Sequence, residues 1–202
     1  MIQESHKLLF YRTLSETKKL YEKVKYAIIL SENFDPEREF YVASSNQMRS
    51  ALDHIFKAMD FDEETMLYEM KEVEEHLNRA GYDAYEILAS NICLNISNKM
   101  SLYSPPIISR VFPQYYCDIK PIISDIKVEI GQLRKDRKKS IDLSFYQYAK
   151  KINELIELDK LIDKNIPTLE IHRKFKKRET ILYWGITIFI AFVAFIIGLF
   201  VK

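Results

Sequence analysis

Apolar positions recur every three or four residues through the first hundred residues of the chain, which is the period of amphipathic α-helices. This part has no glycine before Gly81 and no proline before Pro36, so little interrupts the pattern. A first helix is predicted over about residues 5–30. Its seam is formed by Phe10, Leu14, Thr17, Tyr21, Val24 and Ile28.

A second helix is predicted over about residues 36–59. Asp35 is suited to cap its N-terminus, and Pro36 is suited to the first helical position. The large apolar residues of this helix fall within a narrow arc, so they are expected to point into a core. They are Met48, Leu52, Ile55 and Met59.

A third helix is predicted from the acidic turn at residues 62–64 to about residue 100, because acidic residues favour a helix N-terminus. Gly81 lies inside this helix, where it is expected to admit a close neighbour. The predicted buried stripe consists of Met66, Met70, Val73, Leu77, Ala80, Ala84 and Leu88.

Beyond residue 100, four prolines between positions 104 and 121 predict a broken connector. A fourth helix is predicted over about residues 122–139. A heptad-like seam then runs from Phe145 to Leu169, with Asp159 in an interior slot and an interruption at Pro167. This seam predicts a helical stalk that packs against the body or against another copy of itself.

Residues 181–201 form a run of 21 residues, of which 18 are apolar and none is charged. As a helix this run is about 30 Å long, which is enough to cross a bilayer once. Tyr183 and Trp184 are expected at the interface, and insertion is expected to be of the post-translational, tail-anchored type. Five basic residues before the run against one after it predict a cytoplasmic N-terminal body. The five are Arg173, Lys174, Lys176, Lys177 and Arg178.

These elements predict an all-α protein, an elongated antiparallel helical bundle with a helical stalk and one C-terminal transmembrane helix. We expect a helical body at 1–140, a stalk with a basic juxtamembrane segment at 141–180, and a membrane anchor at 181–201.

Composition excludes several kinds of site. Thirty basic against 29 acidic side chains argue against a dedicated nucleic-acid coat, and four glycines do not form a phosphate-binding loop. Cys93 and Cys117 cannot build a disulfide framework and are expected to be reduced thiols. No metal and no cofactor is expected, because the histidines never fall at ligand spacing within one segment. They are His6, His54, His76 and His172.

Polar residues with catalytic potential cluster on the second and third helices. Arg49 and Asp53 share one flank of the second helix and can pair, whereas His54 projects about 140° away from Arg49. Histidine can transfer protons and arginine can neutralise a phosphodiester, although the same groups equally suit an interhelical hydrogen-bond network. The third helix carries a supporting set within about 60° of arc. It comprises His76, Arg79 and Asp83.

Two basic clusters are candidates for contact with phosphate or lipid headgroups. One is the juxtamembrane run described above. The other ends the predicted fourth helix and contains Arg134, Lys135, Arg137 and Lys138.

The segment RSALDHIF, which runs from Arg49 to Phe56, resembles the R-x4-H-x-aromatic signature of the HEPN all-helical nucleases. The resemblance implies a dimer in which two motifs build one metal-independent ribonuclease site, with Arg49 and His54 as its catalytic residues. RSALDHIFKAMD together with HLNRAGYDAYEIL also resembles bacterial membrane-anchored helical proteins, a likeness that implies no activity.

The sequence therefore leaves two alternative functions open. The first is a membrane-anchored HEPN-like ribonuclease or toxin-type effector that acts as a dimer on RNA, with the 2′-hydroxyl of the substrate as the nucleophile. The alternative is a non-catalytic membrane-tethered module that self-associates or recruits a protein partner. A membrane-damaging effector is disfavoured, because Gly185 and Gly198 supply no close-packing GxxxG pair. The expected partners are the lipid bilayer, a second copy, RNA and an unidentified protein.

Overall fold

The computed structural model describes residues 4–35, 42–60, 62–136 and 141–200, and in these ranges it contains six α-helices and no strand. The all-α class with one long apolar C-terminal helix is thereby confirmed. A π-helical segment, Tyr115–Ile119, precedes the fifth helix. The α-helices are α1 (Glu4–Asn33), α2 (Val42–Asp60), α3 (Glu63–Ser101), α4 (Pro105–Val111), α5 (Lys120–Asp136) and α6 (Ile141–Phe200).

Helix α3 is the centre of the bundle, and α1, α2 and α6 all pack on it. Its N-terminus is capped by Asp62, whose Oδ1 accepts a hydrogen bond from the Thr65 backbone N–H at 3.1 Å. This bond lowers the pKa of the Asp62 carboxyl. All seven residues of the predicted stripe on this helix are buried, because α3 has neighbours on several sides.

Gly81 marks the place where α1 and α6 both approach α3. A methyl group at this position would collide with the ring of Phe145 on α6 and would lie 3.2 Å from Val24 Cγ2 on α1. The expectation of a close neighbour at Gly81 is confirmed.

The fully buried residues of α2 are small, and the larger Met48 and Ile55 are only partly buried against the core. Ser44, Ala51 and Ala58 are buried at seven-residue spacing, and Ser44 Oγ donates a hydrogen bond to the Ala80 carbonyl at 3.3 Å. The expectation that Leu52 and Met59 point into the core is wrong, since they are 48% and 52% exposed. The small side chains let the two backbones approach closely, and Leu52 and Met59 remain outside this contact. Its predicted start at residues 36–41 lies outside the described residues.

The proline-rich connector is more regular than predicted. Pro105 and Pro106 occupy the first positions of α4, and Pro121 lies in the first turn of α5. Proline is tolerated at the start of α4 because these backbone positions have no intrahelical N–H partner to lose. Pro121 instead follows directly on the π-helical segment, where the hydrogen-bond pattern changes from π to α. The segment thus forms a short helix and a π-helical turn, and not one long helix.

The predicted stalk seam is buried within its own chain. Helix α6 packs along α3, α4 and α5, so of the two alternatives for the seam the structure has the one in which it packs against the body. This part of α6 therefore belongs to the bundle. The buried seam residues are Phe145, Tyr148, Ile152, Leu155, Asp159, Ile162 and Leu169.

Beyond the bundle, α6 continues without a break into the apolar run. Within the described residues it is the one helix long and apolar enough to cross a membrane, with a mean hydropathy of 2.4 over its most apolar window. None of that window is buried in the protein. The helix is compatible with a single span, and the direction of crossing stays a prediction from the flanking charges.

Candidate functional site

A histidine and a glutamate join α2 to α3. His54 Nδ1 lies 2.5 Å from Glu69 Oε2, and both side chains are largely shielded from solvent. Glu69 is the buried acidic residue of α3, so His54 supplies the hydrogen-bond donor that a buried carboxylate requires.

A second histidine also joins the two helices, but here the histidine lies on α3 and its partner lies on α2. His76 on α3 lies with its Nδ1 2.6 Å from Oε1 of Gln47 on α2, so the ring N–H donates to the amide oxygen. Burial lowers the pKa of His76, and the charges of Arg79 and His54 lower it further. The neutral imidazole is thereby favoured.

The two imidazoles stack on each other. Their ring centroids are 5.1 Å apart and their planes are inclined by 26°. When the two rings are neutral and donate their Nδ1–H to Glu69 and Gln47, Nε2 of each ring carries the available lone pair.

Glu72 completes a three-residue group with these rings. His54, Glu72 and His76 each offer one potential metal-ligand atom, the three atoms lie within 4.8 Å of one another, and all three residues are half-buried. The sequence-based expectation of no metal ligands considered spacing within one segment, so it missed a group drawn from two helices. The four-residue spacing from Glu72 to His76 was its only signal in the sequence.

Arg49, predicted to act with His54, lies on a different side of α2. Its exposed side chain lines a groove of 730 Å³ between α1 and α2, whose floor is Val73 and Leu77 of α3. Lys18 of α1 is the other basic residue in this mostly apolar lining. Within one chain, the structure does not bring Arg49 and His54 together.

The predicted supporting residues are also dispersed. Asp53 is exposed on α2, whereas Arg79 forms a surface ion pair with Glu75 at 2.9 Å. Asp83 is half-buried about two turns beyond His76 on α3. Of the polar set proposed from the sequence, His54 and His76 are therefore the two that meet.

The basic cluster near the end of α5 is only partly described. Arg134 is exposed, with its Nε 3.7 Å from Glu86 Oε2. The side chain of Lys135 and the whole of Arg137 and Lys138 lie outside the described residues.

A basic residue of α4 lies beside the juxtamembrane basic residues of α6, which the sequence did not suggest. Arg110 of α4 joins His172 and Lys176 of α6 around a recess of 380 Å³. Arg173, on the same turn, forms an ion pair with Glu170 at 2.8 Å and lies over the Tyr103 ring at 5.6 Å. The remaining predicted residues are exposed on α6. They are Lys174, Lys177 and Arg178.

Comparisons with protein-family models, with curated proteins and with solved structures find no match to this chain. The HEPN resemblance therefore rests on the motif residues alone and stays a prediction.

Proposed function

We propose that this chain is a membrane-tethered helical interaction module that pairs with a second copy through one side of the bundle. This side, called here the α1–α2 face, consists of the groove between the two helices together with the exposed apolar residues along it. The groove is the observation that carries the proposal.

The groove exists because α1 and α2 both pack on α3 but scarcely touch each other. Large apolar side chains that stay exposed border it, and Tyr11 also lines a second recess beside Met59. Contiguous exposed apolar surface of this kind is typical of an interaction site. The exposed residues are Tyr11, Tyr21, Leu52, Phe56 and Met59.

Charge favours a second copy as the occupant. The groove lining carries the basic Lys18 and Arg49, and Glu22 pairs with Lys18 at 3.9 Å, so the face is not strongly charged. An interface between two identical surfaces must be self-complementary, which a weakly charged face permits and a strongly charged one does not. The anchor also confines copies to one membrane, which raises their effective concentration.

Sedimentation of the detergent-solubilised full chain at micromolar concentration tests the proposal. We expect a dimer for the wild type, and we expect Leu52→Glu to weaken dimerisation at least about tenfold, since a carboxylate would be buried in an apolar interface. Leu94→Glu is the matched control, because Leu94 is exposed on α3 and lines neither cavity of the α1–α2 face.

A monomeric wild type overturns the proposal, and so does equal weakening by the control. Stoichiometric binding of an amphipathic helical peptide to a monomeric wild type also overturns it, because the groove then serves a different occupant.

One observation favours ribonuclease activity as a second candidate. Glu69 holds Nδ1 of His54 at 2.5 Å, which is how a carboxylate orients a catalytic imidazole and presents Nε2 as the base. The dimeric wild type should then cleave a mixed RNA pool in the presence of EDTA. His54→Ala should lower the cleavage rate by about 10²- to 10⁴-fold. No cleavage by the folded wild type dimer contradicts this candidate.

A further inference from the structure

We infer that His54, Glu72 and His76 form a binding site for a divalent transition-metal ion of the zinc class, with Glu69 and Gln47 orienting the two imidazoles. The inference is independent of the proposed pairing, because the site lies between α2 and α3 on the side of α2 away from the groove.

The chemistry of the three side chains fits such an ion. Two imidazoles and one carboxylate are a common protein ligand set for zinc, which leaves a further position for water. Ligand atoms about 2.1 Å from a tetrahedral ion lie about 3.4 Å apart. The three candidate ligand atoms in this structure already lie within 4.8 Å of one another. Side-chain rotations that move these atoms by on the order of 1 Å would bring them to the spacing of a tetrahedral zinc site.

The surroundings of the two rings are those of metal-binding histidines. Such histidines donate their second ring N–H to a carboxylate or carbonyl, which fixes the tautomer and aims the other nitrogen at the ion. His54 has this contact with Glu69 and His76 has it with Gln47. The two ring planes are inclined by 26°, so one ring must turn for the in-plane lone pairs of both rings to meet at one ion.

The ligand types also select the ion. Imidazole nitrogens suit zinc, copper, nickel and iron, whereas calcium and magnesium prefer all-oxygen sites. The single carboxylate and the absence of cysteine from the group favour a borderline ion such as Zn²⁺ over a soft ion such as Cu⁺.

A structural hydrogen-bond network would use the same Nδ1 contacts. Glu72 lies four residues before His76 on α3, so helix geometry alone places its carboxylate near that ring. The two accounts differ in what Glu72 does: in a metal site its carboxylate binds the ion, whereas the Nδ1 network does not use it.

The test uses the detergent-solubilised full chain after removal of metal with EDTA and dialysis. We expect one Zn²⁺ per chain with a Kd below about 1 μM, and we expect zinc-edge X-ray absorption of the wild type to report two imidazole ligands. Glu72→Gln should weaken binding at least about tenfold, and His76→Ala at least about 100-fold, since even outer partners of metal ligands contribute 10- to 100-fold.

His172→Ala serves as the matched control, because His172 lies on α6 beside Arg110 and outside the group. It should bind Zn²⁺ like the wild type. Far-ultraviolet circular dichroism without metal verifies that each variant is folded. The zinc-edge spectrum is measured on the wild type, so it does not depend on the folding of any variant. The inference is overturned if the wild type takes up no stoichiometric Zn²⁺, if its spectrum lacks two imidazoles, or if folded Glu72→Gln binds as tightly as His172→Ala.

Discussion

Lys99 on α3 and Asp159 on α6 form an ion pair inside the bundle, with Nζ 2.8 Å from Oδ1. Asp159 is only 8% exposed, and Asn95 Nδ2 donates a second, longer hydrogen bond to it at 3.4 Å. Lys99 also reaches Asp163 at 2.6 Å. Burial acts to lower the pKa of Lys99, but the hydrogen bonds that Lys99 donates to Asp159 and Asp163, together with their negative charges, outweigh burial and raise it. A charged residue in the seam of α6 thus has its counter-charge on the neighbouring helix.

Removal of the lysine should cost more stability than removal of the aspartate charge. Lys99→Met leaves Asp159 without its cation, and we expect the free energy of unfolding to fall by about 2–4 kcal/mol. Asp159→Asn should cost about 1–2 kcal/mol, because Lys99 keeps its contact with Asp163. Denaturant unfolding of the full chain in detergent measures both values.

The double variant Lys99→Met, Asp159→Asn checks the physical cause. It removes both charges, so its loss of stability should be smaller than the sum of the two single losses. Additive losses would mean that the two side chains do not stabilise each other.

Substitution of Gly81 should destabilise the bundle through a steric clash. In Gly81→Ala the new methyl group meets the Phe145 ring and lies close to Val24, and we expect a loss of about 1–3 kcal/mol. Gly131→Ala on α5 is the control, since nothing lies within 4 Å of its added methyl group. It should gain about 0.5–1 kcal/mol from helix propensity. Thermal unfolding measures both, and equal effects would contradict the packing account.

Periodicity predicted the interior of α3 but not the orientation of α2. Helix α3 has helices on several sides, so each apolar residue of its stripe finds a partner. Helix α2 packs mainly on α3, where Ala51 and Ala58 are buried while Leu52 and Met59 stay exposed. A hydropathy pattern weights a helix side by its large residues, and it therefore assigned all four large apolar residues of α2 to the core.

Sequence patterns could not predict the proposed metal-ligand group of His54, Glu72 and His76 for a related reason. His54 and His76 meet because of how α2 is shifted and rotated against α3, which depends on packing between two helices. Spacing within either helix does not encode that register. The sequence did single out both histidines as polar residues beside apolar stripes, but the position of Glu72 near both of them is seen only in the assembled fold.

Alkaline pH should weaken the fold through Tyr85. Burial, with a smaller contribution from Tyr26, raises the pKa of Tyr85 from its ordinary value of 10 to about 12. The folded pKa lies above the unfolded one, so this stabilisation is complete below about pH 10 and is lost as pH rises from 10 to about 12. Tyr85→Phe should show a shallower decline of stability over this range in denaturant titrations. A decline as steep as that of the wild type would exclude Tyr85 as a cause.

The direction of membrane crossing can be read from a native cysteine. Cys117 is exposed, whereas Cys93 is buried and its pKa is raised by burial, so Cys117 should be the reactive thiol. With the body in the cytoplasm, a membrane-impermeant maleimide should label the chain only after cells are permeabilised. Cys117→Ser should abolish that labelling. Labelling of the wild type in intact cells would reverse the predicted orientation.

The recess between α4 and α6 should favour anionic lipid headgroups. Arg110 and Lys176 converge there, and Lys176 precedes the apolar run at residue 181 by about one and a half turns, so the recess lies at headgroup level. Each basic residue near an anionic leaflet contributes about 1 kcal/mol. Native mass spectrometry of the detergent-solubilised chain should therefore detect more bound phosphatidylglycerol than phosphatidylcholine, and Arg110→Gln with Lys176→Gln should remove the difference. Lys160→Gln is the control, because Lys160 pairs with Glu157 on the surface of the bundle. If the double variant retains the preference, the basic residues of this recess do not hold the lipid.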